Sequence, residues 1–319
     1  MREGRTADLA RLWLAEVRPG DAEAIVAVPA LERVLPALDP DGVTALAVEY
    51  QRLLGFGVPP YESVFVDPSA MLLAPATARV AASYRQAGWE PPRDARAAAE
   101  DHLGLELLAW GECLADGRGD EAVFFLMRHL ALWVPAFALS FGSLDPHPFY
   151  RALAEVTVEA VLGGLPPGAL PEGSDPFPEL PPPPVYLASD PPAERHRRHE
   201  APDGPGLGDI VGRLLVPREA GLYLSREDIL RAGRSADLPV GLGERRQMLG
   251  ALLRLAGQYE ALDPLLAALD APFAAAERYC ADLAARHPAW AGYGAAWRGR
   301  LSATRALLAS LRDEARRGA

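Results

Sequence analysis

The sequence predicts an all-α protein, and three features carry that prediction. Alanine, leucine, arginine and glutamate dominate the 319 residues, and all four are good helix formers. Apolar residues recur every three or four positions, whereas period-two alternation is almost absent. Proline and glycine stand between the periodic stretches, where they end helices. The best strand candidate, Tyr61–Val66, is short and isolated.

In chain order, helices are expected over Thr6–Glu16, Asp21–Ala37, Asp41–Phe56, Ser69–Ala87, Arg93–Leu114, Asp120–Phe141 and Pro148–Leu162. Two of them carry clear stripes. Leu103, Leu107, Trp110 and Leu114 form one; Val123, Met127, Leu130, Val134, Phe137 and Phe141 form the other, so each helix should bury one face in a shared core. Pro135 lies inside the second and should kink it, because proline removes a donor and crowds the preceding turn. The run Leu180-Pro181-Pro182-Pro183-Pro184 then marks a proline-rich stretch that favours extended backbone. Helical patterning resumes over Leu207–Val216, Arg226–Ala232, Glu244–Ala256, Tyr259–Leu269, Pro272–Ala285 and Ala289–Arg317. The expected organisation is a helical bundle over 1–165, a linker over 166–206 and a second helical region over 207–319.

The formal charge is −11, and with no lysine present every fixed side-chain cation is arginine. That balance disfavours non-specific nucleic-acid binding, which needs a basic surface. Cys113 and Cys280 are too few for a disulfide framework and fit a reducing compartment. The charged N-terminus, with Arg2, Glu3 and Arg5, is not expected to act as a signal peptide. The most apolar run, Leu130–Phe141, falls short of the roughly 20 residues of a membrane span. A protein without stable membrane insertion is expected.

Enzyme signatures are scarce. Gly204-Pro205-Gly206-Leu207-Gly208 follows a proline-rich coil, whereas a dinucleotide loop needs a preceding strand. His196 and His199 are flanked by arginines, which repel a cation. His102 and Glu106 stand four apart on an expected helix and could begin a metal site, but zinc needs further ligands. The segment from Glu90 to Glu121 is more informative, with nine carboxylates against three arginines. Such a face is either simply solvated or a dock for a basic peptide, since carboxylates grip guanidinium groups. The last helix is basic, with Arg298, Arg300, Arg305, Arg312, Arg316 and Arg317 against Asp313 and Glu314. It could cross the acidic segment, stand in for a client, or be solvated.

Glu100-Asp101-His102-Leu103 followed by Glu106-Leu107 resembles the motif of the TorD/DmsD/NarJ family of redox-enzyme maturation chaperones. Pro60-Tyr61-Glu62-Ser63-Val64-Phe65 is similar to the family's upstream block. Trp133-Val134-Pro135-Ala136-Phe137 and Pro148-Phe149-Tyr150 match its downstream pattern, so the resemblance covers about Leu46 to Leu162. It implies a TorD-like helical bundle: a cytoplasmic chaperone, not an enzyme, with no cofactor of its own. The implied partner is the apo subunit of a molybdopterin-dependent oxidoreductase, its twin-arginine signal peptide, or both, held until the cofactor is inserted. Monomer and homodimer both remain open.

The resemblance also implies a client or signal-peptide site at Tyr61, Glu62, Asp101 and His102. Asp101 and Glu106 are expected to clamp the leader's cations, with Trp110, Trp133 and Phe137 as an apolar wall; the alternative for these aromatics is the core. Family members commonly end near Leu162, so the remainder is a C-terminal extension. The rival readings are a helical metal-dependent hydrolase using His102 and Asp101, and a generic helical scaffold or adaptor.

Overall fold

The computed structural model describes residues 4–95, 97–171, 173–180 and 206–318, and among these there is no strand. The run Pro181–Pro184, the His196/His199 pair and the start of the glycine-rich stretch, Gly204-Pro205, lie outside the described residues. α1 (Gly4–Leu14) lies against α7 (Leu103–Ala115). Two glycines of α7, seven residues apart and so on one face, allow that approach. A Cβ on Gly104 would meet the Ala10 carbonyl oxygen at 2.7 Å, and one on Gly111 would meet Thr6 Oγ1 at the same distance. Between these two helices lie α2 (Ala22–Val26), α3 (Pro29–Glu32), α4 (Pro40–Tyr50), α5 (Glu62–Val66) and α6 (Pro75–Gln86). α8 (Gly119–Arg128), α9 (Leu130–Gly142) and α10 (Pro148–Gly163) follow.

Several expected boundaries moved, each for a local reason. The expected helix over 21–37 is two short ones, because Val28 takes the extended backbone favoured before Pro29. The candidate strand is instead the helix Glu62–Val66, and only Tyr61 is extended, in a single antiparallel bridge to His102. α6 starts at Pro75 rather than Ser69. The intervening loop is held by Asp67, whose carboxylate accepts from the Ser69 amide (2.9 Å), the Ser69 hydroxyl (2.7 Å) and the Ala76 amide (3.1 Å). α7 begins only at Leu103, so the acidic segment is half irregular. The expected helix over 120–141 breaks at His129 (φ −120°, ψ −86°) with a 47° bend, not at Pro135. Pro272, in contrast, interrupts nothing: Leu262–Arg286 is one helix.

The C-terminal part comprises α11 (Leu207–Leu215), α12 (Pro217–Ala220), α13 (Arg226–Ser235), α14 (Arg245–Gln258), α15 (Leu262–Arg286) and α16 (Ala291–Gly318). α15 and α16 form a long antiparallel hairpin. The basic last helix finds its partners there, not on the 90–121 segment. Arg305 bonds Asp270 (2.9 Å) and Glu277 (2.6 Å), and Arg312 bonds Asp263 (2.9 Å). The opening of the proline-rich stretch packs on the same helix: buried Phe177 sits edge-on to Trp297 at 4.9 Å and under the Arg300 guanidinium at 3.8 Å.

One contiguous hydrophobic cluster includes residues from both parts of the chain, from Leu9 to Leu308. The junction has a specific cause. Proline at 135 has no N–H to give the carbonyl of Ala131 four residues earlier, so that oxygen needs another donor. The Trp290 indole supplies it at 2.9 Å, and Trp297 and Tyr293, on the same face of the hairpin, donate to Leu132 (2.7 Å) and Met127 (2.7 Å). Helix α9 is therefore covered rather than lipid-facing. No single helix among the described residues is long and apolar enough to cross a membrane.

Trp290→Phe should cost about 1–3 kcal/mol in urea unfolding, the usual penalty for orphaning a buried polar group. In a Pro135→Ala background, residue 135 can supply the missing amide and the cost of Trp290→Phe should shrink. A double-mutant cycle with no coupling would refute this account of the junction.

Candidate functional site

The two sequence blocks that resemble family motifs meet in space as one unit. The segment around Tyr61 runs antiparallel to Asp101–Leu103: the Glu62 amide donates to the Asp101 carbonyl (2.9 Å) and the Leu103 amide to the Pro60 carbonyl (2.9 Å). His102 is the N-cap of α7, its Nδ1 accepting from the Gly104 amide at 3.0 Å. The Tyr61 ring lies edge-on to His102 at 4.9 Å, and the Tyr61 oxygen accepts from the Ala98 amide at 3.1 Å.

Beneath this pairing lies a buried polar core. Asp101 accepts from the Ser63 amide (2.7 Å) and the Thr77 hydroxyl (2.9 Å). Glu62 is paired with Arg79 and, at 2.8 Å, with His129 Nδ1; His129 Nε2 lies 2.8 Å from the Ser83 hydroxyl. Glu106 accepts from the Trp133 indole at 3.0 Å, and its second oxygen has no partner. Three buried carboxyl groups thus lie in one polar core, and only Glu62 is paired with the guanidinium, so burial works against ionisation of the other two. Burial works against ionisation of Glu62, but Arg79 and His129 outweigh it and hold its carboxyl below the usual range. Burial pushes Glu106 well above its ordinary value, with Glu62 adding repulsion. Burial also raises Asp101, partly offset by Ser63 and Thr77.

The histidines respond in the opposite direction. Burial pushes His102 down to about 3, and it lowers His129 against the pull of Glu62. Both are neutral at neutral pH. His129 then donates from Nδ1 to Glu62 and accepts at Nε2 from Ser83.

Of the seven expected site residues, only Tyr61 reaches the surface; Glu62, Asp101, His102, Glu106, Trp133 and Phe137 are buried. The expected clamp therefore needs correction. Asp101 and Glu106 offer no carboxylate to an incoming peptide, because one is bonded by its own chain and the other faces an indole. Trp110, Trp133 and Phe137 are core, the alternative reading of that stripe. His102 and Asp101 do not converge with a third ligand either: no group of three or more His, Cys, Asp or Glu among the described residues is placed to hold a metal.

Sequence reasoning missed Arg79, Ser63, Thr77 and Ser83. Thr77, Val80, Ser83 and Tyr84 all lie on the buried face of α6. Polar residues at helical spacing inside an apolar stripe were the available signal. For Arg79 no spacing rule pointed to Glu62.

What lies at the surface is different in kind. Glu90, Asp94, Glu100, Glu112, Asp116, Asp120 and Glu121 are exposed. A cleft of about 630 Å³ opens between α1 and the 92–95 segment, lined by Leu14, Ala95 and Leu108 and by charges of both signs: Glu16 and Asp94, Arg18, and Arg11 paired with Asp21.

Residues 19–139 match the family model described as nitrate reductase delta subunit. The protein described as "Probable Tat proofreading chaperone DmsD" from Haemophilus influenzae is 28% identical over 105 residues, covering 32% of this chain and 50% of that protein. The chain thus spans about half the length of that relative. Both matches support the TorD/DmsD/NarJ family of redox-enzyme maturation chaperones.

Asp101→Ala should destabilise the protein by about 2–4 kcal/mol, since the Ser63 amide and Thr77 hydroxyl would be left buried and unpaired; chemical unfolding measures it. His102 has a depressed folded pKa, so its contribution to stability is present above pH 6.5 and is lost as pH falls towards about 3. His102→Asn keeps a capping oxygen and removes the titration. It should flatten the loss of unfolding free energy across that pH window, and an unchanged slope would contradict the assignment.

Proposed function

We propose that this chain is a cytoplasmic, non-catalytic chaperone for the maturation of a molybdopterin-dependent oxidoreductase. It would bind the apo-enzyme, its twin-arginine leader, or both, and release them once the cofactor is seated. One observation carries the reading. The Pro60–Phe65 and Glu100–Leu107 blocks, each resembling a family motif, lie about 40 residues apart in sequence yet form one hydrogen-bonded unit inside the stretch 19–139.

The buried residues of that unit act by position rather than by touch. Asp101 and Glu62 tie α5, α6 and α9 to the segment leading into α7, and Tyr61 and Tyr84 hold that segment through the Ala98 amide and Glu100 carbonyl. This fixes one wall of the cleft against α1. A leader peptide presents two adjacent cations followed by an apolar stretch. Arg11 is neutralised by Asp21, so Glu16 and Asp94 stand against Arg18 alone; they would meet the cations while Leu14, Ala95 and Leu108 meet the apolar part, an extended-chain mode of recognition. Binding would shield the leader from export until release.

A synthetic leader peptide with adjacent arginines tests this by calorimetry. Glu16→Arg with Asp94→Arg should weaken binding by about tenfold or more, as expected for the loss of charge-assisted contacts. No binding to the unmutated protein, or equal binding by the double variant, would remove the cleft from consideration. Asp101→Ala should lower affinity only as far as it unfolds the protein.

A further inference from the structure

On the far side of the 60–67 segment is a second pocket, of about 440 Å³, with a chemistry opposite to the acidic surface. Its walls include Arg226, Arg245 and Arg246, three guanidinium groups in a protein of net charge −11. None of the three makes an ion pair among the described residues. Arg245 lies over the Tyr223 ring at 3.9 Å from its centroid and donates to the Leu224 carbonyl (3.0 Å); the one carboxylate lining the pocket, Glu244, makes no ion pair with it and leaves the three arginines in excess. Burial and the repulsion of Arg226 and Arg246 lower its pKa, with Tyr223 the only group in opposition.

The local backbone adds to this positive field. Arg245 and Arg246 open α14, a 14-residue helix whose N-cap residue, Glu244, makes no side-chain capping bond and whose first turn holds no acidic residue. Helix dipoles favour anions there, so two arginines are the wrong charge for the helix itself. An external carboxylate would satisfy the arginines and the open amides together.

Apolar exposure is concentrated around the same pocket. Phe56 (71% exposed) and Met71 (41%) line it, Leu72 (40%) and Leu73 (72%) continue the Met71 loop, and Leu242 (96%) stands two residues before Glu244 on the pocket wall. These are five of the nine large hydrophobics exposed among the described residues. Ala70 and Leu73 hold left-handed backbone at φ 51° and 58°, a conformation side chains disfavour, and so keep Met71 and Leu72 turned outward. A bare anion would not require such a rim.

We infer that this pocket docks an acidic peptide segment bearing large apolar side chains, supplied by a protein partner. Its carboxylates would bridge Arg226, Arg245 and Arg246, and its apolar side chains would cover Phe56, Met71 and Leu242. A basic leader is excluded by charge, so this contact is independent of the cleft assigned to the leader and does not rest on that assignment.

The probe is a fluorescein-labelled peptide of alternating Glu, Leu, Asp and Phe, read by anisotropy at two salt concentrations. The full-length protein should bind it, more weakly at high salt. Arg226→Glu with Arg246→Glu, both at exposed positions, should raise Kd by about tenfold or more, while binding of the twin-arginine peptide stays unchanged. Phe56→Ser should weaken binding without altering its salt dependence. The proposal is overturned if the peptide does not bind, or if the double arginine variant binds it equally. It is also overturned if a peptide with Ser in place of Leu and Phe binds as tightly, which would make the pocket a site for anions alone.

Discussion

Burying three carboxyl groups with only one of them paired to an arginine is the constraint around which the family-like part of this molecule is arranged. Glu62, Asp101 and Glu106 come from α5, the approach to α7 and α7 itself, and Arg79 from α6. Isolated buried charges are costly, so each group needs its own solution. Glu62 takes the arginine and a histidine. Asp101 takes an amide and a hydroxyl, and Glu106 is favoured in its neutral form against an indole. Together these solutions tie α5, α6 and α9 to α7 and its approach. The break at His129 belongs to the same set of constraints, because it turns that imidazole to a place where it bridges Glu62 and Ser83.

The second organising contact is aromatic. Pro135 leaves a carbonyl open in the most apolar helix of the chain, and a row of Trp290, Tyr293 and Trp297 on the C-terminal hairpin serves it and two neighbouring carbonyls. The extension therefore completes the hydrogen bonding of the bundle as well as its apolar core. Its basic character, conspicuous in sequence, is answered at Arg305, Arg312 and Arg316 within the hairpin by Asp263, Asp270 and Glu277, and at Arg300 by Asp175.

Polar core and aromatic junction together leave a surface of two characters. One side presents carboxylates around the approach to α7; another presents three arginines with no ion pair among the described residues, rimmed by apolar side chains. In the proposed chaperone role, separated and complementary surfaces of this kind would let each contact be modest in strength and the pair still selective.

Much of this was legible in the residues themselves. Helix formers with three-to-four periodicity determined an all-α chain, and the stripes through Trp110 and Phe137 located its core, because local propensity and burial agree along a helix. The motif order around Tyr61 and Asp101-His102 pointed to the two blocks that meet as one hydrogen-bonded unit. Tertiary structure alone decided what those residues do. Whether a carboxylate grips a client or pins its own chain depends on which distant donors arrive. Ser63, Thr77 and Arg79 lie outside any spacing rule that starts from Asp101 or Glu62. The break at His129, and the tryptophans that answer Pro135 from more than 150 residues away, were likewise settled by packing. An open carbonyl or a buried charge is a local fact, but its partner is chosen only when the chain has folded.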